Sequence, residues 1–376
     1  MGFKISGWHA VNFTENAANV VLSDVEEPVR ISYTVDNNPI MDEVEMHPDA
    51  NKQIRLLTQQ LIRLIRPLAG PDECFRELPR VMWTATKSDE SVTLGGWLVP
   101  GGIAKSITSE TELIDFFARN FLTHQPQIIE TTPNQPQWLA FVRPYAYTKM
   151  EIYSTLYAAD GSKFTKRILE TPQTPYSFNQ VDTSYTTLWK EFCDNNNLEP
   201  IAYDVFGDSL KKESTNVGEA FTSKPKHPID QRYILRQPRF GEQYFGFVNG
   251  MGGFDTIVMT GESILEPDGE VETFTNSQVE EELVNDYTSH WEVSTGYLDS
   301  ERVASQYQDF LKSQFRYCFH DGVWLRIIID EYELKHTRGE LNAYSFKYHH
   351  SEHNERRFYE RDTLPDVSLP TKFFDI

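Results

Sequence analysis

The stretch Tyr233 to Glu262, YILRQPRFGEQYFGFVNGMGGFDTIVMTGE, constrains the fold of this chain more than any other. Phe245 and Phe247 precede a bend dense in glycine (Gly250, Gly252, Gly253), and Phe254, Ile257 and Met259 follow it. Alternating apolar residues on both sides of a glycine bend predict two antiparallel strands meeting at a tight turn. Glycine belongs there because a positive φ is costly for residues with a Cβ. Asn249 and Asp255 bracket the bend, and the motif reads as one of turn and packing.

Composition supports a β-rich body. The 376 residues include 24 Phe and 18 Tyr, residue types that favour strands. With 39% apolar and 24% charged residues, the chain is globular rather than disordered. Its length allows two or three domains. The formal net charge of −21 argues against a non-specific grip on nucleic acid, which needs Lys and Arg for phosphate contacts, and against attraction to anionic lipid. It reads first as solubility through self-repulsion, with an acidic face for a basic partner or a cation as the alternative. Cys74, Cys193 and Cys318 are odd in number and far apart, so a disulfide framework is not expected and folding in a reducing cytoplasm is. The N-terminus lacks an apolar signal-peptide core, and no apolar run approaches the length of a membrane span.

In chain order, Val29–Val35 and Ile40–Val44 read as strands around an Asp36-Asn37-Asn38 turn. Asp49–Arg66 carries Ile54, Leu57, Leu61, Leu64 and Ile65 at helical spacing, with Asp49 as N-cap and Pro67 as stop, and predicts a helix near 50–66. Val81–Ala85 and Val92–Val99 read as strands. Ser109 to Glu112 is a capping-box sequence opening a helix near 109–121. Trp138–Arg143 is a strand, and Asp160-Gly161 joins a hairpin of Glu151–Tyr157 and Lys163–Leu169. A third helix is expected near 184–195, with Leu188, Trp189 and Phe192 inward, then a closing strand at Ile201–Phe206. Residues 208–230, with Pro225 and Pro228 and few aliphatics, read as a linker or a long ordered loop. Beyond them, Asp268-Gly269 and Asp321-Gly322 predict two more hairpin turns, and Val303, Tyr307, Phe310 and Leu311 a helix stripe. The expected fold is therefore mainly β with a few short helices, as two or more β-sandwich-like domains in tandem. Residues 1–207 would form an N-terminal β-rich part, 231–355 a C-terminal β-sandwich-like domain and 356–376 an extended tail.

Catalytic constellations are weak. His349, His350 and His353 cluster beside Glu352 and Glu355, but without HExxH order, and they read as a polar surface loop rather than a metal site. Asp330, Glu331 and Glu333 could supply a glycosidase pair, yet a chain with 56 acidic residues holds many such pairs. No GxSxG, P-loop or dinucleotide loop occurs. Neither a catalytic residue, a metal ligand nor a cofactor is expected. Tyr244, Tyr287, Trp291 and Tyr297 do not all fall inward by alternation, and rings of this kind serve protein interfaces or glycan stacking.

The phrases FGFVNGMGGFDT (Phe245 to Thr256) and STGYLDSERVASQYQDFLKS (Ser294 to Ser313) resemble virion structural proteins of Bacteroidetes phages and prophages. MHPDANKQIRLLTQQLIRLI (Met46 to Ile65) extends the likeness loosely into the N-terminal half. The resemblance implies a β-sandwich-type tail or baseplate component that assembles into a ring with copies of itself and with other virion proteins. Such a protein is made in the host cytoplasm and ends in the particle. Gly250, Gly253, Phe254 and Asp255 carry over as turn formers. A carbohydrate-binding or host-adhesion module is the alternative from another class, and a glycan hydrolase the third.

Overall fold

The structure is a computed structural model. It describes residues 4–6, 9–14, 20–56, 70, 75–87, 90–103, 109–143, 148–170, 174, 176–211, 229–276, 279–298, 301–335, 337, 340 and 342–351. Among the described residues the chain is mainly β, in five sheets with short helices.

Two sheets form a first sandwich. One has five strands in the spatial order Val11–Phe13, Glu90–Val99, Arg80–Lys87, Val29–Val35, Asn38–Met46. The other has three, Lys4–Ser6, Val20–Ser23 and Ile54–Leu56. Their inward residues, among them Val20, Leu22, Ile31, Ile54, Val81 and Trp83, make one buried cluster. The Asp36-Asn37 turn is as expected: both residues take left-handed φ, 51° and 65°, matching the twist of a two-residue hairpin.

The helix expected near 50–66 does not start at Asp49. The Asp49 carboxylate instead accepts from the amides of Asn51 and Gln53 at 2.8 and 2.9 Å, closing a turn in which Lys52 is left-handed at φ 58°. The chain leaves that turn as a strand, and Ile54 and Leu56 alternate inward against Val20 and Leu22. Local side-chain bonding to the backbone outcompeted the helical spacing. The rest of that stretch, 57–66, lies outside the described residues.

A second sandwich pairs the sheet of Trp138–Arg143, Ser177–Asp182 and Phe75–Glu77 with a five-stranded sheet. The latter runs Ile128–Thr131, Ile229–Leu235, Pro200–Lys211, Thr148–Ala158, Lys163–Glu170. Between them lie Phe141, Ile152, Tyr203, Tyr233 and the helix predicted near 184–195. That helix opens with a wide π turn, Thr186–Lys190, and continues as Glu191–Asn196. Trp189 is buried there, its indole N–H donating to Ser154 Oγ at 2.8 Å.

This sheet corrects the domain boundary expected at 208–230. The strand Ile229–Leu235, assigned from sequence to the C-terminal domain from Gln231 onward, pairs antiparallel with Ile201–Phe206's strand, Ala202 opposite Ile234 and Gly207 opposite Ile229. It also pairs in parallel with Ile128–Thr131. Ile201–Phe206 is thus central, not closing, and 212–228, outside the described residues, connects two neighbouring strands of one sheet.

The third unit is one seven-stranded sheet, in the order Phe254–Met259, Gln243–Val248, Arg316–His320, Val323–Glu333, Ser345–His350, Val279–Ser294, Ser263–Asn276. Where a second sheet was expected, the helix Glu301–Lys312 covers its inner face with Ala304, Tyr307, Phe310 and Leu311. Asp321-Gly322 turns as expected, with φ of 49° and 82°. Asp268-Gly269 does not turn. Its strand runs on, with Asp268 opposite Thr288 and Gly269 opposite Tyr287, as far as Asn276 opposite Val279. A single long ladder satisfies more backbone groups than two short hairpins would. The expected tail, 356–376, lies outside the described residues.

Because the strands on either side of 212–228 are neighbours, a protease site engineered within that segment should give two fragments that stay together under native conditions and part only in denaturant. Fragments that separate on native size exclusion would restore the boundary.

Candidate functional site: a glycine turn held between three sheets

The hairpin Gln243–Val248 to Phe254–Met259 forms as the alternation predicts, with Val248 opposite Phe254. Asn249 shapes its loop. The Asn249 Oδ1 accepts from the amides of Met251 and Gly253 at 2.9 and 3.1 Å, while its Nδ2 donates to the Leu122 carbonyl at 2.8 Å. Of the three loop glycines only Gly252 has a positive φ, 85°. The other two serve proximity, which corrects the reason expected from sequence. A Cβ on Gly253 would lie 2.0 Å from the Leu122 carbonyl oxygen, and one on Gly250 would press on the His124 ring at 3.2 Å.

These approaches make the loop a junction of all three units. Gly102, just past the strand Glu90–Val99 of the first sandwich, donates to the Gly250 carbonyl at 2.7 Å. Leu122, joined to Ala140 of the second sandwich by a 2.7 Å backbone bond, receives Asn249. Met251 and Phe254 share a buried cluster with Val11, Val99, Phe117, Ala140 and Phe178. The helix supplying Phe117, Glu110–Arg119, carries the capping box predicted at Ser109 and Glu112.

Asp255 is the ionisable centre of the junction. It is fully buried and accepts from Thr123 Oγ1 at 2.6 Å and from the His124 amide at 3.2 Å. Burial pushes its carboxyl up to about 6, against hydrogen bonds from Thr123 and Asn249 that favour the charged form. His124 turns its ring to Asp309 on the helix Glu301–Lys312, Nδ1 to Oδ2 at 2.8 Å, and that hydrogen bond raises its pKa. Asp309 also accepts from the Gly250 amide at 3.3 Å. The arrangement ties backbone to backbone. Sequence reasoning placed Asp255 in a turn but missed its partners, since Thr123 and His124 stand 132 and 131 positions away with no local pattern linking them.

The aromatic candidates whose side chains are described do not form one platform. Tyr244 is half-buried and bonds Thr132 through its hydroxyl at 2.9 Å. Trp291 packs against the core of the seven-stranded sheet. Tyr297 is 77% exposed, and the side chain of Tyr287 lies outside the described residues. Cys193 is core, as expected; Cys318 is also buried with a thiol pushed up to about 12 by desolvation, and Cys74 is outside the described residues. Glu331 and Glu333 are exposed at the end of their strand. His353 is outside the described residues, and His350 Nδ1 stands 3.8 Å from the Cys318 sulfur. His349 does have ligand-type companions, but from distant strands: Asp330 and His290.

The junction sets a pH dependence. A carboxyl raised from 3.8 to about 6 adds stability that is fully present below 3.8 and is lost as pH rises through 6, to about 3 kcal/mol. His124, also raised, acts with the same sign: its contribution is present below 6.5 and lost as pH rises through its folded value. In urea unfolding of wild type and Asp255→Asn between pH 4.5 and 7.5, the wild type should gain on the variant as pH falls. Parallel profiles would contradict the assignment.

No protein-family model matches the chain, and no curated protein sequence matches it. Solved structures show partial likeness. The tail of an empty GTA particle of C6 symmetry is 11% identical over 29% of this chain and 91% of that one, at a TM-score of 0.22. Invasin, a bacterial integrin-binding protein, is 12% identical over 78% of this chain and 56% of its own, also at 0.22. A protein of the Bacteroides ovatus mixed-linkage glucan utilization locus, solved with a heptasaccharide, is 9% identical over 93% and 100% of the two chains, at 0.13. At TM-scores this low none of them assigns a function, and the chain stands as a mainly β, multi-unit protein.

Proposed function

We propose that the chain is a non-enzymatic structural subunit of a phage or prophage particle, in the tail, tail tip or baseplate, working by assembly with copies of itself and with neighbouring virion proteins. The observation that carries this reading is a β-arm. The strand Ser345–His350 pairs with Val279–Ser294 only over Trp291 to Ser294. Beyond that, Glu266 to Asn276 pairs with Val279 to His290 as two strands, with no third strand alongside among the described residues. At 3.2–3.4 Å per residue such an arm reaches about 35 Å.

An isolated two-stranded ladder is marginal in water. This one is also charged against itself. Glu266 to Tyr287 contains eight acidic residues and no Lys or Arg, and Glu270 stands directly opposite Asp286. Like charges so placed repel. A neighbouring subunit that covers the arm and offers basic groups would relieve both defects, and its edge is a ready template for strand addition. Head-to-tail repetition of that contact closes a ring when the rotation between neighbours divides a full turn. The particle setting is taken from the resemblance read in Phe245 to Thr256 and Ser294 to Ser313, and the buried thiols of Cys193 and Cys318, free of disulfides, suit assembly in the cytoplasm.

The test replaces 267–289 with Asn-Gly, joining Glu266 to its partner His290 by a two-residue turn. Light scattering should show a closed oligomer for the full chain and a monomer for the variant, with equal melting temperatures. An unchanged oligomer, or a full chain that stays monomeric and binds glycan, would refute the assembly role of the arm.

A further inference from the structure

Where the β-arm leaves the seven-stranded sheet, three strands converge on one carboxylate. His290 lies on Val279–Ser294, Asp330 on Val323–Glu333 and His349 on Ser345–His350. The backbone explains the convergence. Trp291 is opposite Tyr348, so continuing that register one step sets His290 opposite His349. On the other flank Ile329 pairs with Tyr348 and Glu331 with Lys347, which leaves Asp330 as the extra residue of a bulge. Bulges re-aim a side chain, and this one brings the Asp330 carboxylate toward the two imidazoles. Tyr348, next to His349, faces the core, which puts His349 on the outer face.

The geometry is that of a ligand set. Asp330 Oδ2 is 3.0 Å from His290 Nδ1 and 3.0 Å from His349 Nδ1, and Oδ1 is 2.8 Å from His349 Nδ1. The three ligand atoms lie within 4.8 Å of one another. All three side chains are partly shielded, with relative exposures of 30%, 29% and 17% for His290, Asp330 and His349. Nitrogen and oxygen ligands about 2.1 Å from a tetrahedral ion stand roughly 3.4 Å apart, so the two Asp330 contacts need to open by only a few tenths of an ångström, with the imidazoles settling around the ion within their 4.8 Å span. The adjacent row, by contrast, is an ion-pair group: Lys347 Nζ meets Glu266 at 2.8 Å and Glu292 at 3.4 Å.

We propose that His290, Asp330 and His349 bind one divalent transition-metal ion, Zn²⁺ in the first instance, and that the ion clamps the three strands at the root of the arm. Imidazole nitrogen selects such ions over Mg²⁺ and Ca²⁺, which prefer oxygen. Three protein ligands leave a fourth position for water or for a group from a neighbouring chain. On binding, the imidazole nitrogens now turned to Asp330 release any proton they carry and donate a lone pair to the metal. The site stands apart from the assembly reading: it needs only these three strands.

The test uses the untagged full chain, freed of metal and titrated with Zn²⁺ by calorimetry. One equivalent should bind, Mg²⁺ and Ca²⁺ should not compete, and His290→Ala or His349→Ala should weaken binding by at least about a hundredfold, since even loss of partners behind a ligand costs 10- to 100-fold. His320→Ala, at an exposed turn, should leave it unchanged. Absence of stoichiometric binding, or wild-type affinity in the two histidine variants, would overturn the proposal. Should those variants fail to fold, the Co²⁺-loaded wild type decides. Visible bands of a four- or five-coordinate nitrogen–oxygen site support it, and a spectrum of aqueous Co²⁺ refutes it.

Discussion

A fully buried Asp255 carboxylate, held by the Thr123 hydroxyl and the His124 amide, is the tie on which the arrangement of the three units depends. Leaving an ionisable group in the core is costly, and it is tolerable only where donors are fixed toward it. Here the donors belong to an irregular segment following the helix Glu110–Arg119, so satisfying Asp255 also fixes that segment. Asn249 adds the reciprocal bond to Leu122, and Gly253 removes the side chain that would keep the two backbones apart. Three bodies that each bury a core thereby meet at one loop. The apolar cluster around Phe254, Phe117 and Phe178 supplies the area, and the polar bonds supply the register.

Much of this was legible in the sequence wherever the determinants are local. Period-two alternation found the hairpin at Asn249–Gly253. Paired turn residues found the bends at Asp36-Asn37 and Asp321-Gly322, and Ser109 with Glu112 found a helix start. Elsewhere local signals competed with something longer in range. Asp49 satisfies its own turn, so an apolar spacing that suits a helix was carried into a strand at Ile54–Leu56. Asp268-Gly269 would turn in isolation, but continued pairing with Tyr287 and Thr288 wins. Residues 212–228 look like an interdomain linker by composition, and only tertiary pairing of Ile229–Leu235 with Pro200–Lys211 reveals one sheet.

Sites were less legible than elements. Asp330 and His349 both stand out in the sequence, one as a carboxylate and one in a histidine cluster, yet for unrelated chemistries. Their meeting, and the entry of His290, follow from strand order and a bulge, neither of which a single sequence encodes visibly. One of these strands, Val279–Ser294, also carries the acidic arm, so the assembly reading and the metal proposal converge on one end of the seven-stranded sheet. The junction lies toward its other end, beside Gln243–Val248 and Phe254–Met259. Internal cohesion and outward reach are thus assigned to opposite ends of one sheet.

Hydrogen exchange at three amides outside any strand or helix tests the central claim most directly. Gly102 donates to Gly250, His124 to Asp255, and Gly253 to Asn249 Oδ1. If the loop truly locks the units together, these amides open only when the whole protein unfolds, and they should exchange as slowly as the core strands. Exchange at the rate of ordinary surface loops would show that the three units are held together by something else.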